Sequence, residues 1–205
     1  MLSKMENEKS NPTRGDRKSP IKGIVTVLCF LWVLLIPLFY SYGGEHIVLY
    51  QVGEKDPAPS TMLKRLLAGK GYGVSVFEGT DSIEKHVELA NKINKLRAAL
   101  FLALDFSFTG QENILVAVTD AKKKTGQILA IEDVPAIYAA DSRELATLMA
   151  DAFNKKVIEL PLFPLLGIDM PGVFLRIECQ KEKVNEVLGK ISDSIQKYFA
   201  RGMKK

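Results

Sequence analysis

Ala98-Ala99-Leu100-Phe101-Leu102-Ala103-Leu104 is an unbroken run of seven apolar residues that stops at Asp105. A run of this length predicts a strand covered on both faces, as in a parallel sheet under helices. The flanking sequence agrees. Just upstream, Asp81 or Ser82 is placed to cap a helix, with Ile83, Val87, Ala90, Ile93, Asn94 and Leu96 at helical spacing. Further upstream, Ile47-Val48-Leu49-Tyr50 and Val74-Ser75-Val76-Phe77 read as strands. Between them, Ser60 is placed to cap a helix that presents Met62, Leu63, Leu66 and Leu67 on one face.

Downstream the alternation continues. Residues 114–118 read as an apolar strand, and residues 121–140 as strand or loop. Asp141 or Ser142 is placed to cap a helix carrying Leu145, Leu148, Met149, Ala152 and Phe153. Residues 157–171 hold three prolines and read as a short strand plus loops. A last strand is expected at 172–178. A final amphipathic helix follows over 182–199, with Val184, Val187, Leu188, Ile191, Ile195 and Phe199 inward. Strands alternating with helices predict an α/β domain, a mostly parallel sheet with helices on both faces, over residues 45–205.

The chain before this domain has a different composition. Residues 23–42 (GIVTVLCFLWVLLIPLFYSY) carry no charge over 20 positions. At about 1.5 Å per residue that length crosses a hydrocarbon core of about 30 Å. Residues 1–22 hold six basic side chains (Lys4, Lys9, Arg14, Arg17, Lys18, Lys22) against three acids. An excess of Lys and Arg before an apolar segment places the N-terminus in the cytoplasm and the domain outside. The expectation is a single-pass inner-membrane protein, N-in, with an uncleaved anchor and a periplasmic or outer domain. The rival is a cleaved signal peptide, but the apolar stretch exceeds the usual core of about 7–15 residues. The polar tail at 1–22 lacks the apolar content to offset ordering entropy and reads as disordered.

Composition excludes several chemistries. The net charge of +4 sits largely in the tail, so the basic balance gives no case for nucleic acid, and Lys122-Lys123-Lys124 reads as a solvated turn. Cys29 lies in the apolar run and Cys179 in a strand far along the chain, so no internal disulfide follows. Two histidines, His46 and His86, are too few for a zinc motif of their own. His86, flanked by Glu84 and Glu88, reads as part of a solvated helix face; His46 reads as a surface residue and Cys179 as half-buried. Gly69-x-Gly71-x-Gly73 leaves a helix and enters a strand, the reverse of a phosphate cradle, so it reads as a helix stop. No Gly-x-Ser-x-Gly occurs. The candidate site residues are Asp105, Arg176 and Glu178. Asp105 ends a buried strand, and ligands of open α/β sheets bind at the carboxyl ends of strands.

Four stretches carry a resemblance. Ile47-Val48-Leu49 with Glu54-Lys55-Asp56-Pro57 is one, and Leu66-Leu67 running to Gly71-Tyr72-x-Val74 is the second. Residues 93–101 (INKLRAALF) are the third. Met170-Pro171-Gly172-Val173-Phe174-Leu175 with Lys197-Tyr198-Phe199 is the fourth. Over about residues 46–201 the chain resembles the catalytic domain of zinc-dependent N-acetylmuramoyl-L-alanine amidases. These exported hydrolases cut between muramic acid and the first alanine of the peptidoglycan stem peptide.

The resemblance implies two histidines and a glutamate on zinc, and a further glutamate that moves the water proton. This chain departs at each point. Gln51-Val52-Gly53-Glu54 stands where the family has Gly-His-Gly-Gly, and residues 61–68 hold no acid. The second histidine position falls on Asp105 and the general-base position on Arg176, with Glu178 two residues further on. An Asp105–Arg176 ion pair is expected in place of the metal site. Three functions compete on these residues. The first is a membrane-anchored, catalytically inactive envelope module of amidase-like fold that binds peptidoglycan or an envelope protein and holds no zinc. The second is a working hydrolase with an atypical zinc site using Asp105, Glu178 and His86. The third is a structural subunit that docks through its apolar 160–166 loop.

Overall fold

A computed structural model describes residues 44–52, 56–122 and 130–202. The expected tail, the expected membrane helix and the lysines at 123 and 124 lie outside those residues. Among the described residues no helix is long and apolar enough to cross a membrane.

The apolar run supplies an inner strand of the sheet. Strand β3 (Leu100–Phe108) lies between β1 (His46–Val52) and β6 (Gly172–Cys179); with β2 (Gly73–Glu78), β4 (Asn113–Thr119) and β5 (Val157–Leu160) they form a six-stranded sheet of order β2-β1-β3-β6-β4-β5. Its first five residues are fully buried because both faces are covered. The strand does not end at Asp105 as expected: pairing with β6 carries it on to Phe108, and Asp105 is its sixth residue. Leu100, Leu102 and Leu104 point to one core, and Phe101 and Ala103 to the other, as a side-chain period of two requires.

The first core is roofed by three helices: α1 (Ala58–Gly69), α3 (Ala139–Ala152) and α4 (Val184–Gly202). The opposite core is closed by α2 (Ile83–Asn94) through Ala90 and Ile93, and by Leu165, Ile168 and Met170 of the segment before β6. That segment is clamped to α2 by Asn94, whose Nδ2 donates to the Gly167 carbonyl at 2.8 Å while its Oδ1 accepts from Asp169 N at 3.0 Å.

The sheet is mostly parallel, with helices on both faces as expected. β1 pairs in parallel with β2 (Gly73–Glu78) and with β3, and β3 in parallel with β6. β4 (Asn113–Thr119) runs antiparallel to β6 and parallel to β5 (Val157–Leu160). The short loop between β3 and β4 is too brief for a right-handed crossover, so β4 returns in the opposite sense.

Several local expectations are corrected. Ser60 does not cap α1. It is buried inside the first turn, and the helix begins at Ala58 after Pro57, with the Ala58 N–H donating to Asp56 Oδ1 at 2.9 Å. Proline suits a helix start because its fixed φ is already helical. Helix α3 begins at Ala139, ahead of Asp141 and Ser142, and follows a 3-10 segment over Ile131–Tyr138 rather than the expected strand or loop. Ser142 is buried and accepts from Gly172 N at 3.0 Å, which ties α3 to the start of β6. Cys179 is fully buried rather than half-buried, and burial pushes its thiol pKa up. The glycine stop stands as read: Gly71 adopts φ +90° between α1 and β2, where a side chain would be strained.

Candidate functional site

In a parallel sheet the carboxyl ends of the strands share one edge, and side chains of matched register form rows across it. Val52 of β1 stands opposite Asp105 of β3, Asp105 opposite Arg176 of β6, and Arg176 opposite Leu115 of β4. All four lie on the face closed further down by α2. Arg176 Nε donates to Asp105 Oδ2 at 2.8 Å. The carboxylate is the more sheltered partner, 18% exposed against 52% for the arginine side chain. The Arg176 guanidinium also stands 5.9 Å from the centre of the Phe174 ring, two residues back on the same strand face.

Glu178 shares that face but stays out of the ion pair. Its Oε2 accepts from Asn113 Nδ2 across the β4–β6 ladder at 3.3 Å. The structure thus brings Asp105 and Arg176 into contact and leaves Glu178 beside them.

His86 is placed differently from the solvated helix face that its neighbours suggest. It is fully buried. The Tyr50 hydroxyl lies 3.0 Å from its Nδ1 and the Leu166 carbonyl 2.9 Å from its Nε2. A carbonyl only accepts, so Nε2 carries the proton and Nδ1 accepts from Tyr50. The Tyr50 oxygen in turn accepts from Thr80 N at 3.3 Å. This chain of bonds is complete with a neutral imidazole. Burial lowers the His86 pKa, partly offset by the Leu166 bond, and burial raises that of Tyr50. His86 therefore fixes α2 and the 163–170 segment against β1, and it makes no bond to Asp105 or Glu178. His46 is half-buried and bonds Ser75 Oγ through Nε2 at 3.0 Å. Nothing near His86 in the sequence signals its burial, because its partners come from β1 and from a carbonyl 80 residues away.

A cavity of about 300 Å³ opens where β1 and β2 end, lined by Tyr50, Gln51, Val52, Glu78, Thr80 and Phe163 among others. It adjoins the Asp105–Arg176 row through Val52. The 160–166 segment is less available for docking than its composition suggests. Pro164 and Leu165 are buried, and Phe163, 37% exposed, packs on the His86 ring at 4.6 Å.

Zinc needs three or four converging ligands. Among the described residues no three His, Cys, Asp or Glu side chains stand close enough to hold a metal ion. The carboxylate at the expected ligand position is taken by a guanidinium. These residues do not fit a zinc ion.

No protein-family model matches the chain, and no curated protein matches it. Solved structures do. The catalytic domain of CwlV, an N-acetylmuramoyl-L-alanine amidase from Bacillus (Paenibacillus) polymyxa var. colistinus, matches with a TM-score of 0.50 at 14% identity, over 76% of this chain and 98% of that one. The catalytic domain of the CD27L endolysin, which targets Clostridia difficile, matches with 0.53 at 11%, over 75% and 97%. The apo form of the amidase Ami1 from Mycobacterium abscessus matches with 0.51 at 11%, over 76% and 99%. At these identities the likeness is one of fold, and it spans nearly the whole of each of the three matched chains. The expected amidase-like fold is therefore present.

Proposed function

We propose that this chain is a catalytically inactive envelope module, anchored through residues 23–42, that uses an amidase-like scaffold to bind peptidoglycan. The observation that carries this reading is the Asp105–Arg176 pair. The resemblance puts a zinc ligand at the first position and a proton-transferring carboxylate at the second. A cation fixed at the second position repels a metal ion and cannot take a proton from water, because guanidinium stays charged at any physiological pH. Two further features support the reading. Helix α1 carries no acid where the family has its ligand glutamate, and His86 is committed to Tyr50 and Leu166.

Export follows from the charge asymmetry around residues 23–42, and peptidoglycan is the material on which amidases of this fold act. Catalysis and binding separate cleanly here. The sheet edge, the adjoining cavity and the exposed guanidinium offer binding groups without a nucleophile. Cosedimentation of the full chain with purified sacculi tests the binding. Retention in the pellet is expected at moderate salt. Recovery of the chain wholly in the supernatant contradicts the peptidoglycan assignment and leaves an envelope protein as the partner.

A further inference from the structure

We infer that Arg176 is a carboxylate-binding residue, positioned by Asp105, and that it reads a short peptide carrying a free carboxylate. The inference rests on the envelope-binding reading only for the source of that peptide, the peptidoglycan stem.

A guanidinium presents five N–H donors in a planar fork. Asp105 occupies Nε, and Arg176 makes no other hydrogen bond among the described residues, so both Nη groups remain as donors. The side chain is 52% exposed, which leaves them open to solvent. Binding on one edge and the Phe174 ring 5.9 Å away restrict the rotamers of the side chain. Less entropy is then lost when the free edge meets a ligand carboxylate. A planar two-donor edge matches a carboxylate in geometry and in charge.

The surroundings set the polarity and length of the ligand. The row through Arg176 ends at Val52, which lines the 300 Å³ cavity. Two strand spacings separate Val52 from Arg176, about 10 Å. An extended peptide covers that distance in about three residues. Glu78 and Asp81 line the cavity, so it repels a carboxylate and takes the neutral or amine-bearing end. The carboxylate end is left for Arg176. Glu178, on the same face, opposes an incoming anion and moderates the affinity.

The experiment uses the full chain in nonionic detergent. It is titrated by NMR with the soluble stem tripeptide and with the same tripeptide after amidation of its carboxylates. Sacculus cosedimentation is run in parallel. The free acid is expected to bind at least about tenfold more tightly than the amide, the size of a charge-assisted pair. Arg176→Gln removes that preference, Arg176→Lys keeps part of it, and Glu178→Gln tightens the free acid about threefold by removing a like charge. Unchanged dispersion of amide resonances shows that each variant is folded. An equal preference in Arg176→Gln overturns the inference and leaves the envelope reading standing if sacculi are still bound. Loss of sacculus binding with an Arg176-dependent preference retained supports the carboxylate site and removes peptidoglycan as its source. Failure of the wild-type chain to bind the tripeptide in either form overturns the inference outright.

Discussion

Asp105 and Arg176 are direct cross-strand partners, set opposite each other by the parallel register of β3 and β6 and joined by a 2.8 Å bond from Nε to Oδ2. Replacing Arg176 with glutamate therefore sets two carboxylates against each other. Like charges directly opposite in a sheet destabilise it. The pair is partly solvated, so the effect is modest. Arg176→Glu is expected to cost about 0.5–1 kcal/mol more than Arg176→Gln, and Asp105→Arg with Arg176→Glu to recover most of it. Urea midpoints of the four proteins measure this. Equal stability of the Glu and Gln variants would show that the two side chains do not interact in solution.

His86 gives the fold a pH dependence of known sign. Its folded pKa lies below the ordinary 6.5 because burial disfavours the imidazolium. Below pH 6.5 the unfolded chain takes up a proton that the folded chain refuses. The contribution of His86 is fully present above that pH and is lost as the pH falls toward the folded pKa. Thermal midpoints of wild type are expected to drop between pH 7.5 and 5.5 by more than those of His86→Gln. Parallel curves would mean that His86 titrates normally in the folded state.

Core substitutions should separate sharply from surface ones. Leu102→Ala empties a fully buried position in the central strand and is expected to cost about 2–5 kcal/mol. Leu66→Ala, at a position 41% exposed on α1, should stay within about 1 kcal/mol of wild type. Denaturant titration of both variants checks the placement of the core.

What was legible in the sequence was the periodicity, and what was hidden came from partners distant in the chain. The apolar run at 98–104 marks the existence of β3, though not its bounds at Leu100 and Phe108, and Ser82 does cap α2, accepting from Lys85 N. The Asp105–Arg176 pair is legible only through the family resemblance, which places both residues at one site; residue types alone leave open which strand lies beside β3. The burial of His86 is hidden in the sequence because Glu84 and Glu88 beside it signal water, while its actual surroundings are Tyr50, Phe163 and Leu166. The start of α1 is not legible from cap types, because Ser60 suits a cap, yet Pro57 opens the helix earlier and places the serine inside it. The sense of β4 was not legible, because an apolar strand reads the same in either direction.

The proposed anchor has its own consequence for topology. With six basic residues ahead of an uncharged stretch of 20, protease added outside cells stripped of their outer barrier should degrade the domain. Complete protection would reverse the orientation, and a mature N-terminus near Gly44 would replace the anchor with a cleaved leader.

On the proposed reading the amidase-like scaffold carries no amidase chemistry, and metal content measured together with activity tests this. The protein should be purified without chelators and without a His-tag, then assayed for bound zinc and for release of stem peptide from sacculi in added zinc. The expected result is well under one zinc per chain and no release above background. About one zinc per chain, with release that Asp105→Ala abolishes, would contradict the claim and restore the hydrolase.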